Sequence, residues 1–326
     1  MSASAGTTVR PLTVALLREL SHAHFISGAV LAEKHGVSRS AVSFALKDAT
    51  TLGIEIFSLT RKGYRLAAPL DLLDVSAVTL PSGCTLVIPF TVPSTNSELM
   101  QQAVAGAASG LVIATEVQSA GRGRRGRVWH SRIGDSLTFS MLWRCDRGAA
   151  QLGGLSLVVG LAMVEALREV GLTRAMLKWP NDIWVDNEKL GGVLIETQGD
   201  MLGPTAAVIG VGLNVHLSPA AKRAIDQPAT AMASHLAATP SRSALLAACV
   251  SHLARALKKF NRDGFAPFRA PWLACHALHQ SRVRVLQANG VAFEATVADV
   301  GLDGTLIVNR DGLTMALNSA EISLRL

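Results

Sequence analysis

Apolar residues recur at helical spacing near the start of the chain, and four leucines mark one face of a helix over residues 11–21: Leu12, Leu16, Leu17 and Leu20. A second helix is predicted over residues 27–34 and a third over 38–49, because each of them opens with a serine that can cap a helix N-terminus. Gly36 lies between these helices and supplies a tight turn. Two helices joined in this way are typical of a helix-turn-helix.

The third predicted helix turns apolar residues inward and leaves polar and cationic side chains outside: Arg39, Ser40, Ser43 and Lys47. Such side chains suit a recognition helix in the major groove of DNA, and Phe44 is a bulky apolar residue on the same face. IEIFSLTRKGYRL then predicts two strands around Arg61 and Lys62, a wing whose cationic tip can touch phosphates. We therefore predict a winged helix-turn-helix DNA-binding domain over residues 1–68. The alternative is a small helical protein-interaction domain, which the position of the wing disfavours.

Apolar strands alternate with helices in the central part of the chain, which predicts a mixed α/β sheet in a domain over residues 69–275. Pro69 marks its start. Long helices are predicted over residues 152–170 and 242–260. The polar, Pro- and Ala-rich segment 218–234 is expected to be a mobile loop.

The last part of the chain carries short alternating segments separated by turn-forming pairs: Asn289-Gly290, Asp303-Gly304 and Asp311-Gly312. This pattern predicts a small β-barrel of the SH3 type over residues 276–326. The fold class expected for the whole chain is therefore a multidomain α+β protein.

Charge and cysteine content restrict the class of protein further. The net charge is +7, and the first 65 residues, with eight Lys/Arg and four Asp/Glu, contribute +4 of it, which suggests a polyanionic partner for the N-terminal module. The cysteines are far apart and form no CxxC pair, as in reduced cytosolic proteins: Cys84, Cys145, Cys249 and Cys275. No signal-peptide pattern is present, and the longest apolar run, residues 155–164, is too short to span a bilayer. We expect a cytoplasmic protein without membrane contact.

The stretch GRGRRGRVWH, residues 121–130, combines three glycines and four arginines with no acid. It fits the letters of a dinucleotide fingerprint, but RVWHSRIGDS follows where a helix has to begin. As a nucleotide-phosphate loop it lacks the Lys-Ser/Thr pair, since Arg127-Val128 stands at that place. A nucleic-acid-binding tract is normally a helix face or a disordered arm, whereas this loop lies between apolar strands. We infer that the loop holds a small anion.

The composition of this loop suits such a role. Glycines let backbone N–H groups approach an anion closely, and guanidinium groups supply paired donors to phosphate and carboxylate. Trp129 can stack on a base or cover a bound ligand, which disfavours a merely solvated surface loop.

Further short motifs accompany the loop: PSTN (residues 93–96), KWPNDI (178–183), KLGGVLIE (189–196) and GVGLNV (210–215). Lys178 and Asp182 flank a proline turn, where they can bind phosphate and a metal-bridged phosphate. Lys189 precedes two glycines at the start of a strand, and Asn214 follows a glycine that permits a close backbone approach. Each motif alone is weak, and their combination is specific.

PSTN, EVQSAGRGRRGRVW, KWPNDI, KLGGVLIE and GVGLN together resemble the biotin–protein ligases, and the upstream winged helix-turn-helix resembles the bifunctional form that is also the biotin operon repressor. The resemblance covers residues 12–325 and ends in EISLR. It implies a central sheet of the class II synthetase and biotin-ligase type. It also implies that biotin and ATP, with Mg²⁺, form biotinyl-5′-AMP and pyrophosphate. Biotin then passes to one lysine of a carrier protein, typically the biotin carboxyl carrier subunit of acetyl-CoA carboxylase.

The resemblance assigns biotin binding to ten residues: Ser94, Thr95, Asn96, Gln118, Arg122, Gly123, Arg124, Lys189, Gly192 and Gly212. It assigns nucleotide binding to seven: Arg124, Arg127, Trp129, Lys178, Asn181, Asp182 and Asn214. Asp182 is the candidate for the magnesium shell. Arg122, Arg124 and Lys189 are the candidate catalytic residues, because the first step brings two anions together and these cations can neutralise them. Arg124 is expected to retain the reactive adenylate.

The resemblance further implies a homodimer when the adenylate is bound, so that two recognition helices meet two half-sites of operator DNA. The loop 217–234 carries no tryptophan where the family's repressor packs one over the adenine, and Pro228 stands near that place. One alternative is a transcription factor that only senses biotin or its adenylate, which the intact loop and Lys189 disfavour. Another is a lipoate- or octanoate-ligase relative, which the five biotin-type motifs disfavour.

Overall fold

The computed structural model describes residues 9–145, 148–199, 203–225, 227–287, 290–318 and 322–325. Its N-terminal module has three helices and an antiparallel strand pair: α1 (Pro11–Glu19), α2 (Gly28–Lys34), α3 (Arg39–Thr51), β1 (Ile56–Leu59) and β2 (Gly63–Leu66). The side chain of Ser27 accepts a hydrogen bond from the Ala29 N–H group, and that of Ser38 accepts one from Ala41. The predicted helices, their caps and the wing are confirmed.

The central domain is built on a seven-stranded sheet with the order β3-β5-β7-β11-β10-β9-β8. Its strands are β3 (Thr85–Val87), β5 (Leu111–Thr115), β7 (Ser136–Cys145), β8 (Met176–Lys178), β9 (Asp182–Val185), β10 (Glu188–Gly199) and β11 (Thr205–Asn214). Only β3 and β5 pair in parallel; the other neighbours are antiparallel. A separate parallel pair joins β4 (Thr91–Val92) to β6 (Val117–Gln118). The predicted mixed sheet is confirmed.

Helices cover both faces of this sheet: α4 (Thr95–Val104), α5 (Leu155–Glu169), α7 (Arg242–Asp263) and α8 (Ala266–Cys275). Along β11, Val208 packs with Leu99 of α4, while the next residue, Ile209, belongs to the larger cluster that contains α5 and α7. Successive strand residues point to opposite faces, so β11 is buried along its whole length. The two long helices were predicted, whereas α8, which contains Pro271, was not.

The segment 218–234, whose polar composition predicted a loop, contains regular structure in its described residues. It contains α6 (Pro219–Arg223), whose N-terminus is capped by Ser218, and a single helical turn over Met232–Ser234. Ala229 and Met232 are buried. The expectation of a loop is therefore wrong for these helical residues, and the mobility of the segment stays a prediction.

The C-terminal part of the chain forms a five-stranded antiparallel sheet with the order β15-β14-β13-β12-β16. Its strands are β12 (Arg282–Gln287), β13 (Ala292–Val300), β14 (Leu306–Arg310), β15 (Leu313–Leu317) and β16 (Ile322–Arg325). The predicted turns at 303–304 and 311–312 connect these strands, and Asn289 of the third predicted turn lies outside the described residues. Closure of this sheet into an SH3-like barrel stays a prediction.

The N-terminal module is docked on the central domain. Phe90, Val117 and Ile133 of the central domain pack in the same apolar cluster as the leucines of α1. Arg242 is fully buried and donates to both carboxylate oxygens of Glu116, at 2.9 and 2.7 Å. The pair holds the linker, because Nε of Arg242 donates to the Asp71 carbonyl at 2.8 Å and the Leu73 N–H group donates to Oε1 of Glu116 at 2.6 Å. Because a buried charge without a partner costs several kcal/mol, loss of either member of this pair should also loosen the linker.

In the described ranges, no helix combines the length and the apolar character needed to cross a membrane.

Candidate active site

One cavity of about 510 Å³ gathers all sixteen residues that the sequence assigned to biotin or nucleotide. They are Ser94, Thr95, Asn96, Gln118, Arg122, Gly123, Arg124, Arg127, Trp129, Lys178, Asn181, Asp182, Lys189, Gly192, Gly212 and Asn214. They come from the start of α4, the glycine-rich loop, and the ends of β8, β9, β10 and β11. Residues that are up to 120 positions apart in the chain thus share one wall.

The wall of the cavity is strongly cationic. Among its described lining residues there are six cations and a single carboxylate, that of Asp182: Arg122, Arg124, Arg125, Arg127, Lys178 and Lys189 are the cations. A concave, partly desolvated surface of one sign concentrates the field and attracts ligands of the opposite charge. The cavity is therefore suited to a ligand with several negative charges.

The first turn of α4 forms one end of the cavity. Ser94 caps the helix, and Thr95 is fixed because both its N–H group and its hydroxyl donate to Oε1 of Gln118, at 2.8 and 3.2 Å. The hydroxyl of Ser140, on β7, lies 2.6 Å from Oγ1 of Thr95. All of these side chains except Gln118 are buried, so this end of the cavity is an array of hydroxyl and amide groups largely shielded from solvent.

The side-chain amide of Asn96 forms hydrogen bonds within the protein. Its Nδ2 donates to the Leu194 carbonyl at 3.2 Å and to Oε2 of Glu196 at 2.8 Å, and its Oδ1 lies 2.6 Å from the Ser140 hydroxyl. A Cβ atom at Gly210 would lie 2.3 Å from Oδ1 of Asn96, so a glycine is needed there. The amide of Asn96 is thus hydrogen-bonded on both sides and orients the neighbouring groups, and its assignment to biotin stays a prediction.

Arg122 is also held in place. Its Nη2 lies 3.0 Å from Oε2 of Glu196 and 3.0 Å from Oγ of Ser97. Glu196 therefore connects the glycine-rich loop to Asn96 through a charge-assisted pair. The side chain of Arg122 is 45% exposed, which limits the strength of the pair.

The glycine-rich loop folds back on itself rather than opening a helix. Gly123 N–H donates to the Arg127 carbonyl at 2.7 Å, and Trp129 N–H donates to that of Gly121 at 3.0 Å. Between these bonds, Arg124 turns inward and its Nη1 donates to Oδ1 of Asn181 at 3.1 Å. Partial burial, together with the nearby charge of Arg125, lowers the pKa of Arg124. The charge of Asp182 opposes this shift, so the guanidinium lies in a mixed electrostatic environment at the cavity wall.

The indole of Trp129 lies against the backbone of Gly212. A Cβ atom at Gly212 would lie only 2.5 Å from Cε2 of the ring. The absence of a side chain at Gly212 therefore leaves room for the indole, and the assignment of Gly212 to biotin stays a prediction. Trp129 therefore lies next to β11, in the middle of the cavity, with its Nε1 buried and without a partner among the described residues.

Lys189 and Asp182 form an ion pair on neighbouring strands. Nζ of Lys189 lies 2.7 Å from Oδ1 of Asp182, and each side chain is 18% exposed. A Cβ atom at Gly192 would be 3.4 Å from the same carboxylate oxygen, so this glycine lets the pair form close to the strand. The backbone of Lys189 is bonded to the segment after α6, through Pro228 and Thr230, each at 2.9 Å.

Asn214, at the end of β11, donates through Nδ2 to the Thr230 carbonyl at 3.0 Å. Residues on both sides of Pro228 line the cavity: Ala224, Ile225, Gln227 and Ala229. The segment 217–234, which carries no tryptophan, therefore still forms part of the cavity wall.

The KWPNDI turn is supported from behind by the C-terminal part of the chain. Nζ of Lys178 lies 4.1 Å from the centroid of the Trp184 ring. The Trp179 N–H donates to Nε2 of His276 at 3.3 Å, and its Nε1 donates to the Gly304 carbonyl at 3.0 Å. Burial, with smaller effects of His279 and Lys178, lowers the pKa of His276 to about 3, so the imidazole is a neutral acceptor.

The predicted DNA-binding residues lie on the outer surface of the N-terminal module. Arg39, Ser40 and Lys47 of α3 are exposed, Ser43 is half-buried, and Arg61 and Lys62 are exposed at the turn between β1 and β2. Among the described residues, none of these four cations has an acidic partner. The structure brings them to one module but assigns no ligand to them.

Sequence reasoning missed Ser140, Glu196 and His276. A serine within the apolar strand LTFSMLW was a signal for Ser140, because a buried hydroxyl needs a partner. Glu196 was quoted within KLGGVLIE and given no role. Only the fold reveals the position of His276 behind Trp179.

Comparison with known proteins finds two matching family models. The model of the biotin/lipoate A/B protein ligase family matches residues 87–214, and that of an HTH domain matches residues 14–65. The bifunctional ligase/repressor BirA of Salmonella typhimurium is 34% identical over 321 residues, which cover 98% of this chain and 98% of that protein. The bifunctional ligase/repressor BirA of Escherichia coli is 32% identical over 312 residues, covering 95% of this chain and 96% of that protein.

Among solved structures, the biotin protein ligase from Aquifex aeolicus in complex with biotin and ATP matches with a TM-score of 0.62 at 26% identity. The match covers 74% of this chain and 98% of that chain. Since relatives above 30% identity extend over nearly the whole sequence, the chain belongs to the biotin/lipoate protein ligase family, and within it to the bifunctional ligase/repressors.

Proposed function

We propose that the chain is a biotin–protein ligase that also acts as a biotin-responsive transcriptional repressor. As a ligase it condenses biotin with ATP to biotinyl-5′-AMP and then transfers biotin to one lysine of a carrier protein. The observation that carries this proposal is the single cavity whose six cations face one carboxylate and whose inner end is a buried array of hydroxyl and amide groups. Such a cavity fits a ligand with a polar uncharged head and an anionic middle.

In the first step, a carboxylate oxygen of biotin attacks the α-phosphorus of ATP, and pyrophosphate leaves. Two anions must approach, so the barrier contains a large electrostatic part. Arg122, Arg124 and Lys189 reduce that part by neutralising the carboxylate and the phosphate oxygens. The cavity supplies positioning and charge, and a protein nucleophile is not required for this reaction.

At the biotin end, the groups on the first turn of α4 suit a urea-like ring system. The hydroxyls of Ser94 and Thr95 and the amide of Gln118 can pair with its N–H and C=O groups. Asn96 holds this array in register through Ser140. Gly123 lets the loop approach the anion closely, and Trp129, which lies over Gly212, belongs to the nucleotide side.

At the nucleotide end, Arg127, Lys178, Asn181 and Asn214 surround the place for the triphosphate and adenosine. Asp182 is the single carboxylate of the described cavity wall. A magnesium ion that arrives with ATP needs only one or two protein carboxylates, because phosphates and waters supply its other ligands. The donor set fits such an ion, which would neutralise phosphate charge, and Asp182 would hold it. With Asp182 so engaged, Lys189 would be available to contact the biotin carboxylate.

In the second step, the amine of the carrier lysine attacks the acyl carbon of the adenylate, and AMP leaves. The carrier expected from the family is the biotin carboxyl carrier subunit of acetyl-CoA carboxylase. Retention of the adenylate until the carrier arrives is assigned to Arg124, whose guanidinium is half-buried and turned inward.

For repression, the N-terminal module binds operator DNA through Arg39, Ser40, Ser43 and Lys47 of α3 and through Arg61 and Lys62 of the wing. We propose that the adenylate-bound chain is a homodimer, because two modules then meet two half-sites. Docking of the module on the central domain and the contact of the segment 217–234 with Lys189 support a link between cavity and module. Location in the cytoplasm stays a prediction.

The decisive experiment is biotin-dependent exchange of labelled pyrophosphate into ATP, followed by biotin transfer to a purified carrier domain. Exchange and transfer together support the ligase. Exchange with lipoate or octanoate in place of biotin would contradict the assigned acid. Tight binding of biotin without exchange would favour the sensor alternative, which no contact in the cavity favours now.

A further inference from the structure

Phe44 projects from the outer face of α3 and takes no part in the core of the N-terminal module. Its surface is 59% exposed, whereas its neighbours Ala45 and Leu46 are buried. Helical spacing places Ser40 one turn before it and Lys47 one turn after it. A large apolar ring therefore stands in the middle of the face to which we assign DNA contact.

The ring is held in a fixed place. Cζ of Arg10 lies 4.1 Å from the ring centroid, which is a cation–π contact. The same guanidinium donates through Nε to Oδ2 of Asp48 at 2.7 Å. Arg10 thus connects the start of α1 with α3 across the ring. Because the ring is already oriented, less side-chain freedom is lost when a partner covers it.

We infer that Phe44 reads a thymine in the major groove of the operator through the C5-methyl group of that base. The inference rests on the proposed operator binding. A phenyl ring carries no hydrogen-bond donor or acceptor, and the thymine methyl is the one apolar group that base edges present in the major groove. The ring therefore favours thymine at its position over the three other bases.

The surroundings of Phe44 supply the other parts of such a contact. Arg39 and Lys47 are exposed cations on the same helix, suited to the phosphates on either side of a groove. Ser40 offers a short hydroxyl that can donate or accept at a neighbouring base. The wing adds Arg61 and Lys62. DNA is the partner whose charge complements all of these residues.

A second copy of the module fits this face poorly. In a two-fold contact through Phe44, Arg39 and Lys47 of each copy would face those of the other copy. Like charges repel at short distance, and in the described residues neither cation has an acid to neutralise it. The exposed ring therefore points to a polyanion rather than to self-association.

The test uses the full chain with biotin, ATP and magnesium. Duplexes are first selected from a randomised library by the wild-type protein. In the selected duplex, each dT is then replaced singly by dU, which removes the methyl group and leaves base pairing intact. We expect the affinity of the wild-type protein to fall about fourfold at one thymine per half-site, the effect of one buried methyl-sized group. Phe44→Ala should bind the dT and dU duplexes equally, whereas Phe44→Leu should still distinguish them.

Phe57→Ala is the matched control. Phe57 is also an exposed phenylalanine beside an arginine, at 4.9 Å from Cζ of Arg65, but it lies on β1. This variant should keep the fourfold difference between dT and dU. Far-ultraviolet circular dichroism during heating checks that the variants are folded.

Three results would overturn the inference. If Phe44→Ala loses the same affinity at the same thymine as the wild type, Phe44 does not read the methyl group, and operator binding itself still stands. If the wild-type protein selects no duplex at all, operator binding falls and the role of Phe44 falls with it. If Phe44→Ala weakens self-association without DNA and leaves the dU effect intact, the ring covers a second copy.

Discussion

In the cavity, polar side chains bind one another in advance: Thr95 and Asn96 meet Ser140, and Lys189 meets Asp182. The outer face of the N-terminal module is built differently. Arg39, Lys47, Arg61 and Lys62 have no acidic partner among the described residues. Both surfaces are cationic, but these four cations of the outer face lack the acidic partners that fix Lys189 in the cavity.

The difference follows from the ligands. A small substrate has to be held to within a fraction of an ångström of its reacting partner, so its binding groups must be oriented before it arrives. A DNA backbone is a long polyanion whose binding is driven largely by the release of counterions, which mobile side chains can achieve. Loss of a single contact in the cavity should therefore lower the reaction rate or substrate affinity strongly. Loss of a single contact on the DNA face should lower DNA affinity only slightly.

Lys189→Gln should produce the largest effect. Lys189 is the cation nearest to Asp182, and it is assigned to the carboxylate that attacks phosphorus. Its loss should lower the rate of biotin-dependent pyrophosphate exchange by about 100- to 1000-fold, as expected when one preorganised group that stabilises transition-state charge is removed. Lys222→Gln is the control, because Lys222 forms an ion pair with Glu188 at 2.8 Å outside the cavity. Exchange at the wild-type rate in Lys189→Gln would exclude the assigned role.

Arg124→Gly should affect retention more than formation of the adenylate. The half-buried guanidinium bonds to Asn181 and is turned toward the anion, so its removal should raise the dissociation rate of biotinyl-5′-AMP by about 10- to 100-fold. The measurement is the labelling of lysines on an unrelated protein during turnover. Arg255→Ala, on the exposed side of α7, removes one positive charge elsewhere and should not cause such labelling. If Arg124→Gly labels only the carrier, another group retains the adenylate.

Acid should weaken the support of the cavity. Burial lowers the pKa of His276 to about 3, while an imidazole in the unfolded chain titrates near 6.5. Between these pH values the unfolded state binds more protons, so stability is lost as the pH falls below about 6.5. The loss should reach about 2 kcal/mol at pH 5, and His276→Gln should lack this contribution.

The two regions can be observed separately in this experiment. All five tryptophans lie in the central domain, whereas the single tyrosine, Tyr64, lies in the N-terminal module. Denaturant unfolding followed by tryptophan fluorescence at pH 7 and pH 5 therefore reports on the cavity side alone. An equal loss in His276→Gln and wild type would show that other groups carry the acid sensitivity.

Ser140→Ala tests whether the biotin end depends on a side chain that need not touch biotin. It leaves Thr95 and Asn96 with an unsatisfied buried group, which typically costs about 1–3 kcal/mol. We expect the KM for biotin to rise about tenfold and the KM for ATP to stay unchanged, because only the biotin end is disordered. Ser109→Ala is the control: its hydroxyl accepts from the Arg144 N–H group, at the far end of β7. Equal changes in both KM values would contradict the separation of the two ends.

The comparison also explains which features the sequence alone could predict. Motifs identified the cavity residues because the chemistry requires particular residue types, such as arginines beside glycines. Contacts between the motifs depend on sheet register: β7 and β11 place Ser140 opposite Gly210 and Thr138 opposite Gly212. Register is set by long-range pairing, so neither the link from Ser140 to Asn96 nor the indole over Gly212 was predictable.

Helix prediction succeeded where a helix has one apolar face and failed where it does not. The caps at Ser27 and Ser38 and the leucine spacing fixed the N-terminal module locally. The sequence of α8, APFRAPWLAC, has two prolines and few polar residues. The helical spacing of apolar and polar positions therefore cannot be recognised in it. The short α6 was not predicted, because the polar, Pro- and Ala-rich composition of its segment is typical of a loop. Ser218 and Pro219 nevertheless carry the signals of a helix start.

Lys47→Ala should have the smallest effect and separates the two regions most directly. Lys47 is exposed on α3 and has no acidic partner among the described residues, so it is available for one phosphate. Its removal should weaken binding to the selected duplex by about threefold, equally for all sequences, and should reduce the slope of log K against log salt by about one. Lys34→Ala is the matched control, because Lys34 lies 3.1 Å from a carboxylate oxygen of Glu19 and is already neutralised. A slope that falls for Lys34→Ala and not for Lys47→Ala would mean that pairing does not decide which lysine contacts DNA.

A cavity variant such as Ser140→Ala should change the biotin concentration needed for DNA binding and leave the salt slope intact, since it alters no charge.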